Sequence, residues 1–270
     1  MKLSFSTLGC PGYNMDQVIE MAIRNGYQGV ELRAVEGKIE LWTLPSFSGG
    51  GLKETAKKLR ENNLEISCIG TSVSYSRRRD ECFNSNAETI KRYIELACVL
   101  ECKYIRVFGG PLVPVLGYLN SIKQIREGFA LLSETANANG IIPLLETHDD
   151  FSTSARVMDI LDGIPLGKFG VLWDVLHTYR YGEPIADTYS VLKDRIRHIH
   201  VKDGKNLSAG DSDLVLTGAG DMPIGDCVKV LRDGGYKGFY SLEWEKMWHP
   251  EIEEPEVAIP QYAEYMKSLM

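Results

Sequence analysis

Apolar, strand-like runs alternate with amphipathic, helix-like segments from one end of this sequence to the other. The strand-like runs cover 2–7, 28–33, 65–71, 104–109, 141–147, 169–174, 196–202 and 238–244. Helical periodicity falls between them at 16–25, 52–62, 87–101, 122–139, 154–161, 185–193 and 227–233, with a last helix over roughly 256–269. Alternation of this kind is the pattern of a parallel sheet covered by helices. Eight such units in 270 residues point to an α/β fold, a (β/α)8 TIM barrel forming a single domain over residues 1–270. An open doubly wound sheet is the competing architecture. It is disfavoured because the turn after the first strand, Gly9-Cys10-Pro11-Gly12, carries no Gly-rich phosphate pattern. Asn25-Gly26, Asn139-Gly140 and Gly234-Gly235 follow three of the helices, as C-terminal caps do.

The formal net charge of −7 gives no support to nucleic-acid binding, which shows a basic face. The opening Met1-Lys2-Leu3-Ser4-Phe5-Ser6-Thr7 lacks the apolar centre of a signal peptide. No stretch approaches the ~18 apolar residues of a membrane span. Cysteines at 10, 68, 82, 98, 102 and 227 form no CxxC motif, so a reduced, cytoplasmic protein without membrane partners is expected. Cys98 and Cys102 lie one helical turn apart and read as paired small core residues.

A barrel gathers its working residues at the carboxyl ends of its strands, and four successive runs meet that requirement. The fifth ends Leu144-Leu145-Glu146-Thr147-His148, and the sixth Leu172-Trp173-Asp174 with Val175-Leu176-His177 beyond. The seventh, Arg197-His198-Ile199-His200-Val201-Lys202, alternates with period two, so His198, His200 and Lys202 share one face. The eighth ends Ser241-Leu242-Glu243-Trp244-Glu245. Taken one at a time, Glu146, Asp174 and Glu243 read as satisfied polar residues, and His200 as a core histidine bonded to backbone. Taken together, three carboxylates and an imidazole converge on one mouth without matching cations. A divalent cation with mixed oxygen and nitrogen ligands resolves that repulsion.

The order of these motifs makes the chain similar to the xylose isomerase-like barrel superfamily, the sugar phosphate isomerase/epimerase group. The resemblance covers most of the chain, from Gly29-Val30-Glu31-Leu32 onward. It is carried by Glu146-Thr147-His148, Asp174-Val175-Leu176-His177, His198-Ile199-His200-Val201-Lys202-Asp203, Gly218-Ala219-Gly220, and Gly235-Tyr236-Lys237-Gly238 leading into Ser241-Leu242-Glu243. No motif is specific alone; their order and strand placement are. The resemblance implies one divalent metal ion, manganese before magnesium, cobalt or zinc, held by Glu146, Asp174, His200 and Glu243. It also implies that Glu146 and Glu243 act as acid and base on opposite faces of a small sugar or polyol-derived carbonyl substrate. Proton transfer beside the carbonyl, through a metal-stabilised enediolate, then gives a sugar isomerase or epimerase. Relatives of this kind are often dimers or tetramers, so a homodimer or homotetramer is expected.

Further substrate-binding candidates surround this set. His177 lies three residues past Asp174 and, by the resemblance, faces the substrate. Lys202 has two readings: a group that neutralises an enediolate or binds a carboxylate, or a structural salt bridge to Glu245. Arg106, in Tyr104-Ile105-Arg106-Val107-Phe108, alternates towards the mouth. Glu31 does the same on the second strand, the alternative being a pair with Arg33. His198 is expected one layer below His200, and His148 beyond the rim. Trp248 suits stacking on sugar C–H faces, Trp244 reads as a packing plug, and Trp42 as a further lid candidate. Arg77-Arg78-Arg79, followed by Asp80 and Glu81, reads as a solvated charged turn.

Three other functions compete. A trinuclear zinc nuclease of the endonuclease IV type needs histidines on the third and fourth strands. Those strands end Gly70-Thr71-Ser72 and Phe108-Gly109-Gly110, and none of the five histidines precedes position 148, so this reading is rejected. A metal-dependent dehydratase of a keto-cyclitol or dehydroshikimate would use the same ligands and stays open. A non-catalytic sugar-binding barrel is opposed by the retained pair of glutamates.

Overall fold

A computed structural model describes residues 1–77 and 79–270, the side chains of Asp80 and Glu81 excepted. Its strands are β1 (Lys2–Phe5), β2 (Gly29–Leu32), β3 (Glu65–Ser74), β4 (Tyr104–Phe108), β5 (Ile142–Glu146), β6 (Gly170–Asp174), β7 (Ile196–Val201), β8 (Asp203–Ser208), β9 (Asp211–Val215) and β10 (Phe239–Leu242). Parallel ladders link eight of them in the order β1-β10-β7-β6-β5-β4-β3-β2. A parallel bridge between Ser6 and Glu31 brings the two ends of that order together and closes the barrel. The expected helices all form: α1 (Met15–Asn25), α2 (Gly49–Glu61), α3 (Arg79–Val99), α4 (Tyr118–Asn137), α5 (Ser154–Leu161), α7 (Ile185–Leu192), α8 (Ile224–Asp233) and α9 (Pro255–Ser268). A short α6 (Val175–Arg180) was not expected.

Local chemistry accounts for these elements. In α1, Met15, Val18, Ile19 and Ala22 are buried at helical spacing. Asn14 and Gln17 close a reciprocal capping box at its start, and Gly26 ends it at φ 71°. Inside the barrel the alternation of the strands sets two levels. Cys68, Leu144 and Leu172 form a small apolar cluster with Tyr104 and Ile142. Two residues further along β5 and β6 the same faces carry Glu146 and Asp174. The interior is therefore apolar towards the amino ends and polar towards the carboxyl ends.

Four details differ from the sequence reading. Strand β3 continues to Ser74 and α3 begins at Arg79 rather than 87. Cys102 is buried but Cys98 is exposed, because α3 stops at Val99 and the helical spacing no longer applies. By contrast, Arg77 and Arg79 are exposed, in agreement with a solvated charged segment, and Arg79 pairs with Glu127; Arg78 lies outside the described residues. The antiparallel pair β8–β9 after β7 was also not expected.

That hairpin hangs from one side chain. The Asp203 carboxylate accepts the backbone N–H of Gly204 (2.8 Å), Gly218 (2.8 Å), Gly220 (3.0 Å) and Met222 (3.1 Å). A Cβ on Gly220 would lie 2.2 Å from Asp203 Oδ1, so the backbone can approach only as glycine. The Gly218-Ala219-Gly220 motif is thus a backbone cradle for this carboxylate. Among the described residues, no helix is long and apolar enough to cross a membrane. Asp203→Ala strands four backbone donors and should lower unfolding free energy by about 3 kcal/mol. Urea denaturation checks this, with Asp203→Asn expected to fall between it and the wild type.

Candidate metal centre

Parallel register places the four expected strand-end residues at one level. Glu146 and Asp174 are the last residues of β5 and β6, His200 is the register partner of Asp174, and Glu243 follows β10 directly. All four are buried, and each offers a ligand atom within 4.8 Å of the others. His200 Nδ1 lies 3.3 Å from Glu146 Oε1, 3.2 Å from Glu243 Oε1 and 3.8 Å from Asp174 Oδ2. Both Glu146 oxygens, Asp174 Oδ2 and His200 Nδ1 are buried and make no hydrogen bond among the described residues. Orphaned buried acceptors are costly. Two carboxylates and an imidazole left in this state, with the Glu243 carboxylate beside them, fit a divalent cation.

The surroundings hold each ligand from behind. Asp174 uses Oδ1 to cap α6, accepting the N–H of Leu176 and His177 at 3.0 Å each, which aims Oδ2 at the centre. Thr147 accepts the Asp174 N–H at 2.9 Å. Arg106 Nε lies 3.0 Å from Glu146 Oε2 while its Nη1 donates to the Thr71 carbonyl at 2.8 Å. Lys202 Nζ contacts Asp174 Oδ2 (3.0 Å), Glu243 Oε2 (2.7 Å) and Glu245 Oε1 (2.5 Å). The carboxylates therefore do have protein cations beside them, contrary to the sequence reading. The pairing of Arg106 with Glu146 joins two strands and is not legible in either run alone.

Glu31 is a second correction. It does not pair with Arg33, whose guanidinium donates to Ser72 Oγ at 2.9 Å. Its carboxylate instead reaches across the barrel to His200 Nε2 (2.9 and 3.0 Å), His198 Nε2 (2.7 Å) and the Ser241 hydroxyl (2.9 Å). It is fully buried on the far side of the His200 ring from the other carboxylates, rather than at the open mouth. His198 sits at the same inner level.

Burial opposes every charge in this cluster, and the partners decide the outcome. Burial would raise the Glu146 carboxyl, but Arg106 and His200 together outweigh it and the pKa falls. Glu243 is held well below the usual range by His200 and Lys202 against the same burial cost. Among these carboxylates burial prevails only at Asp174, pushed up to about 6 despite Lys202. Burial disfavours a charged His200, yet Glu243 and Glu31 raise its pKa well above the ordinary value. Glu31, Glu146 and Glu243 thus make the His200 position a place for positive charge.

The remaining candidates line one wall or stand apart. His177 is buried, with Nε2 3.1 Å from Lys202 Nζ. Its ring meets His148 edge-on at 4.6 Å, and His148 meets Phe108 at 4.7 Å, beneath which Arg106 stacks at 4.0 Å. Trp248 is half exposed on the loop after β10, whereas Trp244 is buried and donates to the Glu253 carbonyl at 2.8 Å. Trp42 packs edge-on against Tyr93. A cavity of about 510 Å³ lies at the opposite end, among the first residues of β1, β3, β4, β7 and β10, and holds none of these ligands.

Comparison with known proteins agrees with this architecture. Fructoselysine 3-epimerase of Shigella flexneri is 22% identical over 285 aligned positions, covering 100% of this chain and 98% of that one. The crystal structure of the probable 3-DHS dehydratase from Bacillus anthracis superposes with a TM-score of 0.81 at 20% identity, covering 99% of each chain. The IOLI protein with a bound zinc atom gives 0.81 at 19% identity, covering 100% and 98%. At these identities the structures speak to the fold. The family model for the xylose isomerase-like TIM barrel matches residues 19–269, and the chain belongs to that family.

Proposed function

We propose that this chain is a divalent-metal-dependent sugar isomerase or epimerase, working by proton transfer next to a carbonyl. One observation carries the reading: three carboxylates and His200 Nδ1 converge, buried, at the carboxyl mouth, with four of their atoms lacking any hydrogen bond among the described residues. A divalent ion held by Glu146, Asp174, His200 and Glu243, manganese by the oxygen-rich donor set, would polarise a carbonyl and acidify the neighbouring C–H. Everything else is done by this chain's own groups. Glu146, kept ionised by Arg106, removes the proton. Glu243 returns one from the other face in epimerisation. Return by Glu146 to the adjacent carbon gives isomerisation instead. His200 and Lys202 hold Glu243 ionised at rest, so in epimerisation it must first take a proton from solvent before giving it to the substrate. Glu146 releases the proton it has taken to solvent, which balances the cycle.

Glu31 supports this arrangement as a positioning residue. Accepting from Nε2 of His200, it fixes a proton on that nitrogen, so that a metal ion taking the place of the Nδ1 proton would find the lone pair aimed at it. Such a carboxylate behind a ligating histidine is worth about 10–100-fold in metal affinity. His177 and Trp248 are offered to the substrate, the first from a buried wall and the second from an exposed loop.

Dehydration of a keto-cyclitol or dehydroshikimate is the second reading, favoured by the likeness to the probable 3-DHS dehydratase. It begins with the same proton abstraction and ends by expelling a hydroxyl. Proton NMR in heavy water separates the two, using manganese-loaded protein cleared of free metal with ketoses, aldoses, keto-cyclitols and dehydroshikimate. Deuterium entering beside a carbonyl with formation of a new sugar supports the proposal; a new alkene signal supports the lyase. Glu146→Gln should slow exchange by about 10²–10⁴-fold, and unchanged exchange would remove Glu146 as the base. Glu31→Gln should weaken Mn2+ binding by about 10–100-fold in chelator competition, with circular dichroism unaltered.

A further inference from the structure

Lys202 is surrounded in the way a metal ion is. Its ammonium has three hydrogens, and these are taken by Glu243 Oε2 at 2.7 Å, Glu245 Oε1 at 2.5 Å and His177 Nε2 at 3.1 Å. Asp174 Oδ2 is a fourth atom, at 3.0 Å. Three carboxylate oxygens and one imidazole nitrogen thus enclose Nζ. Glu146, Asp174, Glu243 and His200 offer the same donor set beside it. His177, Glu243 and Glu245 independently bring ligand atoms within 4.8 Å of one another.

The two cages share residues. Glu243 divides its oxygens, Oε1 lying 3.2 Å from His200 Nδ1 and Oε2 2.7 Å from Lys202 Nζ. Asp174 Oδ2 faces both, at 3.8 Å from His200 Nδ1 and 3.0 Å from Nζ. Carboxylates that bridge two neighbouring cation positions are the construction of a two-metal site, where the ions stand about 3.5–4 Å apart. The chain has filled one of the two positions covalently. Lys202 is 1% exposed, so its ammonium cannot be displaced without drawing a charge out of a buried cage.

We propose that the Lys202 ammonium stands in for a second divalent cation, confining the wild-type chain to one metal ion and leaving a latent second site behind it. The inference rests on the four-residue metal centre described above and assigns the neighbouring cage of Asp174, His177, Glu243 and Glu245. Removing the lysine side chain leaves that donor set intact and its charge uncompensated, which is the condition for divalent binding.

Mn2+ stoichiometry by equilibrium dialysis with metal analysis tests this. Wild-type protein should bind one equivalent, and its electron paramagnetic resonance should stay that of isolated Mn2+ in metal excess. Lys202→Ala should bind two, with the spectrum of an exchange-coupled pair, and adding Glu245→Gln to it should remove only the second. If Lys202→Ala unfolds without metal, millimolar Mn2+ should restore its circular dichroism, because an added cation replaces the missing ammonium. One equivalent at saturation in folded Lys202→Ala, two in the wild type, or a variant still unfolded in excess Mn2+ would overturn the inference. Wild-type protein that binds no divalent ion would count against the proposed reaction as well. One ion in both proteins would count against the latent site alone.

Discussion

Burying four carboxylates inside one barrel, three at its mouth and Glu31 behind the His200 ring, is the constraint on which the rest of this structure depends. Glu31, Glu146, Asp174 and Glu243 are all nearly inaccessible to solvent, and stranding any one of them would cost about 3–5 kcal/mol. The chain answers with cations and ring N–H groups from opposite walls: Arg106 on β4, His198 and His200 on β7, and Lys202 just beyond it. Even with these, the ligand atoms facing the centre keep unsatisfied lone pairs. The site is stable as a fold and still short of positive charge where chemistry would occur, a condition that suits a Lewis acid.

The barrel and the residues at its mouth were readable because they obey local rules. Period two in Arg197-His198-Ile199-His200 and the position of Glu146 and Asp174 at the ends of apolar runs need only a few neighbours to interpret. Partnership across the barrel follows no such rule. Glu31 meets His198 from 167 residues away and Arg106 meets Glu146 over 40 residues, and alternation says only that each points inward. The hairpin β8–β9 was missed because its residues are mostly polar and its anchor, Asp203, works through backbone amides. Helix α6 was missed because six residues carry no legible periodicity. Its cap, Asp174, had been read only as a candidate ligand.

Asp174 shows why such double use matters. One oxygen terminates the amide row of α6 and the other faces the centre, so the orientation of the ligand is set by a helix end rather than by a flexible rotamer. Glu243 and Lys202 are coupled in the same manner, one carboxylate being oriented by a fixed ammonium. The site is thereby assembled from groups whose rotamers are already committed, the arrangement that electrostatic preorganisation requires.

The Asp203 clamp has a different kind of consequence. One carboxylate grips both ends of the excursion that runs from Gly204 to Gly218 and Gly220. Whatever sequence occupies the tip is therefore mechanically isolated from β7 and from the ligands it carries. Loops of different length or composition could be grafted between those two grips while His200 and Lys202 keep their places. The barrel holds its reactive geometry on one side of a single aspartate and leaves the other side open to evolutionary change.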